Sequence, residues 1–138
     1  MEILYPATIT RDDSGAFFVQ FIDLPDTFTE GQTMEEALFN ASEVLSAMLA
    51  WRLDNDKDIP VPSLGKTDTY SIAPDAKTQA ALLMRAARGD MSYAQLARAL
   101  ETSWDVARRL EDPGHWPTLR ALDRAAAALG KRLVLSLA

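Results

Sequence analysis

The sequence predicts an α+β protein in two parts, and three patterns carry that prediction. The front segment alternates apolar and polar residues as half-buried strands do; one long stretch with helical spacing follows; and the rear repeats short, capped helices. The boundary falls near Ala73, giving residues 1–73 as a β-β-β-α-β domain and residues 74–138 as an all-helical domain ending in a strand.

In the first strand Ile3, Tyr5, Ala7 and Ile9 share one face. Asp12-Asp13-Ser14-Gly15 then supplies a turn, and Phe17, Val19 and Phe21 line one face of the second strand. Proline cannot donate to a ladder, so the first strand is expected to lack a partner on one side at Pro6. Asp23-Leu24-Pro25-Asp26 reads as a turn before a short strand over residues 27–30. Thr33 is the expected helix N-cap, with Glu36 completing a capping box. Met34, Ala37, Leu38, Ala41, Leu45, Met48 and Arg52 then follow three-four spacing, so this helix should cover one side of the sheet. Residues 55–63 form a proline-containing connector, and residues 69–72 a last strand.

Pro74 suits the first turn of a helix running to Arg88, which Gly89 is placed to end. Ser92 with Gln95 repeats the capping-box signature, and residues 118–129 form a further helix closed by Gly130. Residues 131–137 set Leu133, Leu135 and Leu137 against Val134 and Ser136, the alternation of a C-terminal strand. A lone strand leaves its backbone unpaired, and a copy in a second subunit would supply the mate.

Composition narrows the function classes. With 48% hydrophobic and 25% charged residues, the 138-residue chain can bury a core and is not disordered by composition. No run approaches the ~18 apolar residues of a membrane span, and residues 3–10 are too short and interrupted for a signal peptide. There are no cysteines, which excludes disulfides and thiolate metal sites and makes a reducing cytoplasm the expected compartment. The one histidine, His115, lies beside Pro113-Gly114 in a loop, so no multi-histidine metal site is expected and no cofactor is called for. The net charge of −6 is unevenly shared. Residues 1–73 hold 13 acidic and 4 basic side chains, a net of −9; residues 74–138 hold 7 and 10, a net of +3. Such a front half repels phosphates and attracts a basic partner, whereas the rear can sit on DNA. Solubility alone is the competing explanation of the acidic surface.

The stretch SYAQLARALETSWDVARRLE, residues 92–111, places two short helices around Glu101, Thr102 and Ser103. Leu96, Ala97, Leu100, Ala107 and Leu110 are the positions that two steeply crossing helices bury, with Ala97 small at the closest approach. A second helix starting at Ser103 projects Trp104, Asp105 and Arg108 outward, as reading a major groove requires. Arg108 has the fork that pairs with guanine, Asp105 can accept from a cytosine amine, and Ser92, Tyr93, Ser103 and Arg109 can donate to phosphates. Trp104 has two competing roles, packing on a thymine methyl or sugar, or plugging a subunit contact. An ordinary helical hairpin with solvated arginines is the alternative to DNA binding. The region resembles the Xre/Cro-type helix-turn-helix, with Tyr93 where a phosphate-binding glutamine is common and Glu101 where a turn glycine is common. A glutamate there calls for a strained turn or a different turn geometry.

The front half carries a second resemblance. Tyr5-Pro6-Ala7, Gly15 with Phe17, Asp23-Leu24-Pro25, then Thr29, Gly31, Thr33, Glu36 and Ala37 fall in the order seen in HicB antitoxins, with Asp26 in place of a usual glycine. The resemblance implies a partial ribonuclease H fold in front and a helix-turn-helix behind. It implies neutralisation of a HicA-type toxin, a small basic messenger-RNA-cleaving ribonuclease, and repression of the shared operon through double-stranded operator DNA. A homodimer through the rear domain would set two recognition helices about 34 Å apart on a palindromic operator, with a tetramer through the front domains as the alternative. The acidic front half suits a partner made to hold RNA. Asp23, Asp26 and Glu30 on the proline turn, with residues of the second strand, are the candidate toxin contacts, although turn-forming and packing roles compete for them.

Catalysis is not expected. Two-metal hydrolysis needs carboxylates converging within about 4 Å of paired ions, usually with one in the first strand. Residues 3–10 hold none; Asp12 and Asp13 sit at a hairpin tip, and Asp54, Asp56 and Asp58 in the connector. The rival readings are a one-component regulator whose front domain senses a small molecule, and an RNA-processing enzyme.

Overall fold

The computed structural model describes all 138 residues, and the chain divides into two compact units, Met1–Ala76 and Lys77–Ala138. In unit 1, β1 (Tyr5–Arg11), β2 (Phe17–Phe21) and β3 (Phe28–Gly31) precede α1 (Met34–Asp54), and β4 (Tyr70–Ile72) follows it. This is the β-β-β-α-β order that the alternation predicts. The strands make one antiparallel sheet in the order β3-β2-β1-β4.

At the β1–β2 turn, Asp12 Oδ1 accepts from the backbone N–H groups of Ser14 at 2.9 Å and Ala16 at 3.0 Å. These bonds, the Ser14 hydroxyl foremost, hold the Asp12 carboxyl below its ordinary pKa. β1 is interior to the sheet, with β2 on one side and β4 on the other. Pro6 is accommodated because it sits where the β1–β2 pairing ends. The last paired residues are Ala7 and Phe21, and beyond them only the Pro6 carbonyl is used, accepting from Ile22 N–H at 3.1 Å.

Ile3, Tyr5, Ala7, Val19 and Phe21 are buried on the face that α1 covers, and Ile9 and Phe17 are half-buried there. The helix starts where expected, with Thr33 Oγ1 accepting from Glu36 N–H at 3.1 Å. Its buried seam is Ala37, Ala41, Leu45, Leu49 and Leu53. The expected stripe is therefore turned slightly, with Met34, Leu38, Met48 and Arg52 flanking the seam half-buried. Arg52 leaves it because its guanidinium donates to the Asp58 carbonyl at 3.0 Å. Gly31 is needed for the close approach of β3 to α1. A Cβ there would run into the backbone nitrogen of Ala37 and lie 2.7 Å from its Cα.

Unit 2 is helical: α2 (Ala76–Arg88), α3 (Tyr93–Ala99), α4 (Trp104–Arg109) and α5 (Leu119–Ala128). Ser92, Ser103 and Thr118 cap α3, α4 and α5. Gly89 and Gly130 follow α2 and α5 with φ of +55° and +71°, the left-handed conformation that ends helices. Ala80, Met84, Leu110, Leu122 and Ala125 form one core cluster, and Leu96, Ala97 and Ala107 a second.

The expected C-terminal strand is corrected. Lys131 N–H still bonds back to Ala126 at 2.8 Å, but residues 131–138 join no ladder within the chain. The physical reason is that unit 2 contains no sheet edge to receive them. No helix of the chain is long and apolar enough to cross a membrane.

Candidate functional site

In unit 2 the α3–α4 pair presents one exposed polar face over a tight joint. Leu96, Ala97 and Ala107 are buried between the helices, so two alanines set the close approach. The turn closes on Glu101, whose N–H donates to Arg98 O at 3.1 Å, and on Thr102, whose N–H donates to Ala97 O at 2.9 Å. These paired bonds form a Schellman motif, which places its residue after the cap in the left-handed region. Glu101 adopts that conformation with φ of +54°, the strained turn that the missing glycine foretells.

Ser103 Oγ accepts from Val106 N–H at 3.2 Å and starts α4. Trp104, Asp105, Arg108 and Arg109 are all exposed. Trp104 and Arg108 are one helical turn apart and Asp105 lies beside them, so the three share a solvent face. The indole of Trp104 is half-exposed and stands edge-on against Tyr93, with ring centroids 5.6 Å apart. Ser92 is exposed and fully engaged in its capping box: its hydroxyl accepts from Gln95 N–H, and Gln95 Oε1 accepts from Ser92 N–H at 2.9 Å.

Tyr93 is placed differently from the other candidates. Its hydroxyl donates inward to Glu111 Oε1 at 3.2 Å, and the Arg88 guanidinium lies 4.2 Å from its ring centroid. Arg88 grips Glu111 through both Nε and Nη2, the latter at 3.1 Å, and donates from Nη1 to Met91 O at 2.6 Å. Glu111 is buried. Its carboxylate raises the Arg88 pKa further, and burial together with the Glu111 charge raises that of Tyr93. The network thus ties the end of α2, the start of α3 and the second residue after α4 into one clasp.

In unit 1 the three acidic candidates have different surroundings. Asp23 holds the connector in place, accepting from Ser63 N–H at 2.8 Å and from the Ser63 hydroxyl. Asp26 pairs with Arg52 at 3.5 Å across an exposed surface. Glu30 is exposed and its carboxylate has no partner. In the β2–β3 ladder it stands opposite Phe18, on the sheet face away from α1. Phe18 and Phe28 meet there with centroids 6.1 Å apart, and Phe28, like Ile22, is exposed. The structure brings Glu30 together with this aromatic pair, and Asp23 with the connector. No group of three or more His, Asp or Glu side chains is arranged to hold a metal ion.

Residues 4–80 match the model of the HicB_like antitoxin of bacterial toxin-antitoxin systems. The chain belongs to the HicB-like antitoxin family. Among its relatives, Antitoxin HicB of Escherichia coli (strain K12) is 31% identical over 133 residues, covering 95% of this chain and 96% of that protein. Antitoxin HicB 2 of Photorhabdus laumondii is 30% identical over 131 residues, covering 95% and 94%. Antitoxin HicB 1 of the same organism is 26% identical over 133 residues, covering 96% and 86%. The HicB-like match begins at Leu4, one residue before β1, and runs into α2, so it takes in the whole sheet and α1. The sequence motif gains its physical meaning here: Gly31 permits contact with α1, and Thr33 caps that helix.

Two features of this HicB-like chain escaped sequence reasoning. The Arg88–Glu111 clasp joins residues 23 positions apart, and either side chain alone reads as a solvated charge. Alternation alone turns Phe18 away from Val19, but its place opposite Glu30 and against Phe28 is visible only in the ladder register.

Proposed function

We propose that this antitoxin neutralises a HicA-type toxin through unit 1 and represses its own operon through unit 2, without catalysis of its own. The division of charge carries the reading: −9 over residues 1–73 against +3 over residues 74–138. A ribonuclease is built to hold a polyanion, so an acidic surface competes for the same cationic patch. Unit 1 is read as the partial ribonuclease H fold of the family, used as a binding scaffold in the cytoplasm. Glu30, Phe18 and Phe28 form its contact surface, with Asp26 at the rim; Asp23 supports it by anchoring the connector.

In unit 2, α3 and α4 are read as a helix-turn-helix with α4 in the major groove. Arg108 reads guanine, Asp105 a cytosine amine, and Trp104 packs on a thymine methyl or sugar at the groove wall. Arg109, Ser103 and Ser92 meet phosphates, while Tyr93 braces Trp104 from behind. A two-fold dimer sets two α4 helices about 34 Å apart on a palindromic operator.

Co-expression of the full chain with its small basic chromosomal neighbour, followed by capture on the antitoxin, tests the first half. A stable complex that rescues growth is expected; no complex, with the neighbour toxic and unopposed, overturns it. Binding of the full chain to its own promoter DNA at graded salt tests the second half. A steep loss of affinity with salt is expected; affinity no greater than for unrelated DNA contradicts it.

A further inference from the structure

We propose that the free edge of β4 is a second contact for the toxin, taking an extended segment of that protein as a fifth strand of the sheet. The inference rests on the reading of unit 1 as the toxin-binding half, and goes beyond it in naming the backbone groups that bind. The β1–β4 register fixes which groups are free. Ile22 N–H donates to Pro6 O at 3.1 Å, so Pro6 turns toward β2. Successive residues of a strand bond to opposite sides, so Tyr5 and Ala7 turn toward β4, where they stand across from Ile72 and Tyr70. Ser71 lies between those two and points its N–H and C=O away from the sheet. Neither group has a partner within the chain. The opposite edge is closed. On β3 the Glu30 carbonyl accepts from Asn40 Nδ2 at 2.9 Å, and Gly31 lies against Ala37 of α1.

A groove of about 480 Å³ lies beside this open edge, its lining including Leu4, Pro6, Val61, Leu64, Thr69 and Ser71. Val61 and Leu64 are left 80% and 91% exposed there. Tyr70, on the opposite face of β4 from Ser71, is exposed as well, so an added strand meets apolar surface on both of its faces. Main-chain bonds for affinity and flanking surface for alternate side chains are what strand addition uses. The toxin is the occupant on grounds of charge. Residues 1–73 carry −9, and exposed Glu2 in the groove and Asp68 before β4 stand against a single cation, Lys66. Such an edge complements a cationic partner. Pro6 and Ser71 also share the sheet face of Phe18 and Glu30, so both contacts open toward the same side of unit 1.

Amide hydrogen exchange on the full chain, free and in complex with its small basic neighbour, tests the pairing directly. The Ser71 amide is expected to exchange freely in the antitoxin alone and about 100-fold more slowly in the complex. Equal exchange in the two overturns the proposal. Protection already present in the antitoxin alone, rising with its concentration, gives the edge to a second copy and overturns it too. Proline is tolerated where the N–H of an edge strand faces solvent. Ser71→Pro therefore removes the outward donor and leaves the β1–β4 pairing, whereas Ser71→Ala keeps the backbone whole. Loss of one backbone hydrogen bond is expected to weaken toxin capture by Ser71→Pro about tenfold, and Ser71→Ala should stay within about twofold of the parent. Capture by the folded proline variant as tight as by the parent, or equal loss in both variants, overturns strand addition while the neutralising role stands. Should the proline variant not fold, the exchange result decides alone. A parent chain that captures no toxin removes that role, and the proposal with it.

Discussion

At Glu101 a single residue shows how a tight turn between two helices carries strain. Its φ of +54° is the conformation that glycine adopts freely and that a Cβ opposes. Glu101→Gly is expected to stabilise unit 2 by about 1 kcal/mol, less whatever the added flexibility of the unfolded chain takes back. Thermal melting checks this, and an unchanged or lowered midpoint contradicts it. Tyr5 gives the residue scale a pH dependence. It is buried under α1 with its hydroxyl donating to Pro60 O at 2.6 Å. Burial, with Asp23 nearby, pushes its pKa up from 10.0 to about 12. The folded state therefore resists ionisation that the unfolded chain undergoes. The resulting stability is intact below pH 10 and is lost as pH rises toward 12. Tyr5→Phe should shrink that alkaline step in denaturation midpoints measured across the window, leaving the smaller part due to Tyr93; a step of the same size in the variant would point to another group.

Among the elements, those set by local rules were legible and those set by distant pairing were not. The caps at Thr33, Ser92, Ser103 and Thr118 form because each hydroxyl reaches an N–H three residues on. The strands of unit 1 announce themselves by alternation, and β3 and β4 begin within a residue of their expected starts. The α1 seam was legible to within a small rotation, because Arg52 is drawn aside by the connector. By contrast, Asp23 reads as a surface acid until Ser63, 40 residues on, is seen to donate to it twice. The last segment shows the same limit: its alternation is genuine, but alternation does not supply a partner. The clasp under α3 and α4 predicts a large effect at this scale. Glu111→Ala leaves the Arg88 guanidinium partly buried without its carboxylate, and removing one partner of a buried pair destabilises by roughly 3 kcal/mol. Chemical denaturation should show that loss in unit 2, whereas a variant as stable as the parent would reduce the clasp to a surface ornament.

For the whole molecule, opposite charges divide the chain at residue 73, three residues before its two compact units meet in sequence. The acidic candidate surface stands on a sheet whose other face is filled by α1, so its aromatic pair and Glu30 are available without disturbing the core. The cationic candidate surface stands on α4, whose inner face is closed by Ala107. Each surface is thereby free of the packing that holds it, and the two should be separable by mutation. The most direct test measures toxin capture and promoter binding together on two full-length variants, Arg108→Ala and Glu30→Lys/Phe28→Asp. Arg108→Ala should weaken promoter binding by ~1–3 kcal/mol, or about 5- to 150-fold, and leave toxin capture intact. The sheet variant should do the reverse. Loss of both activities in either folded variant, or promoter affinity untouched by Arg108→Ala, would contradict the division of labour between the two units.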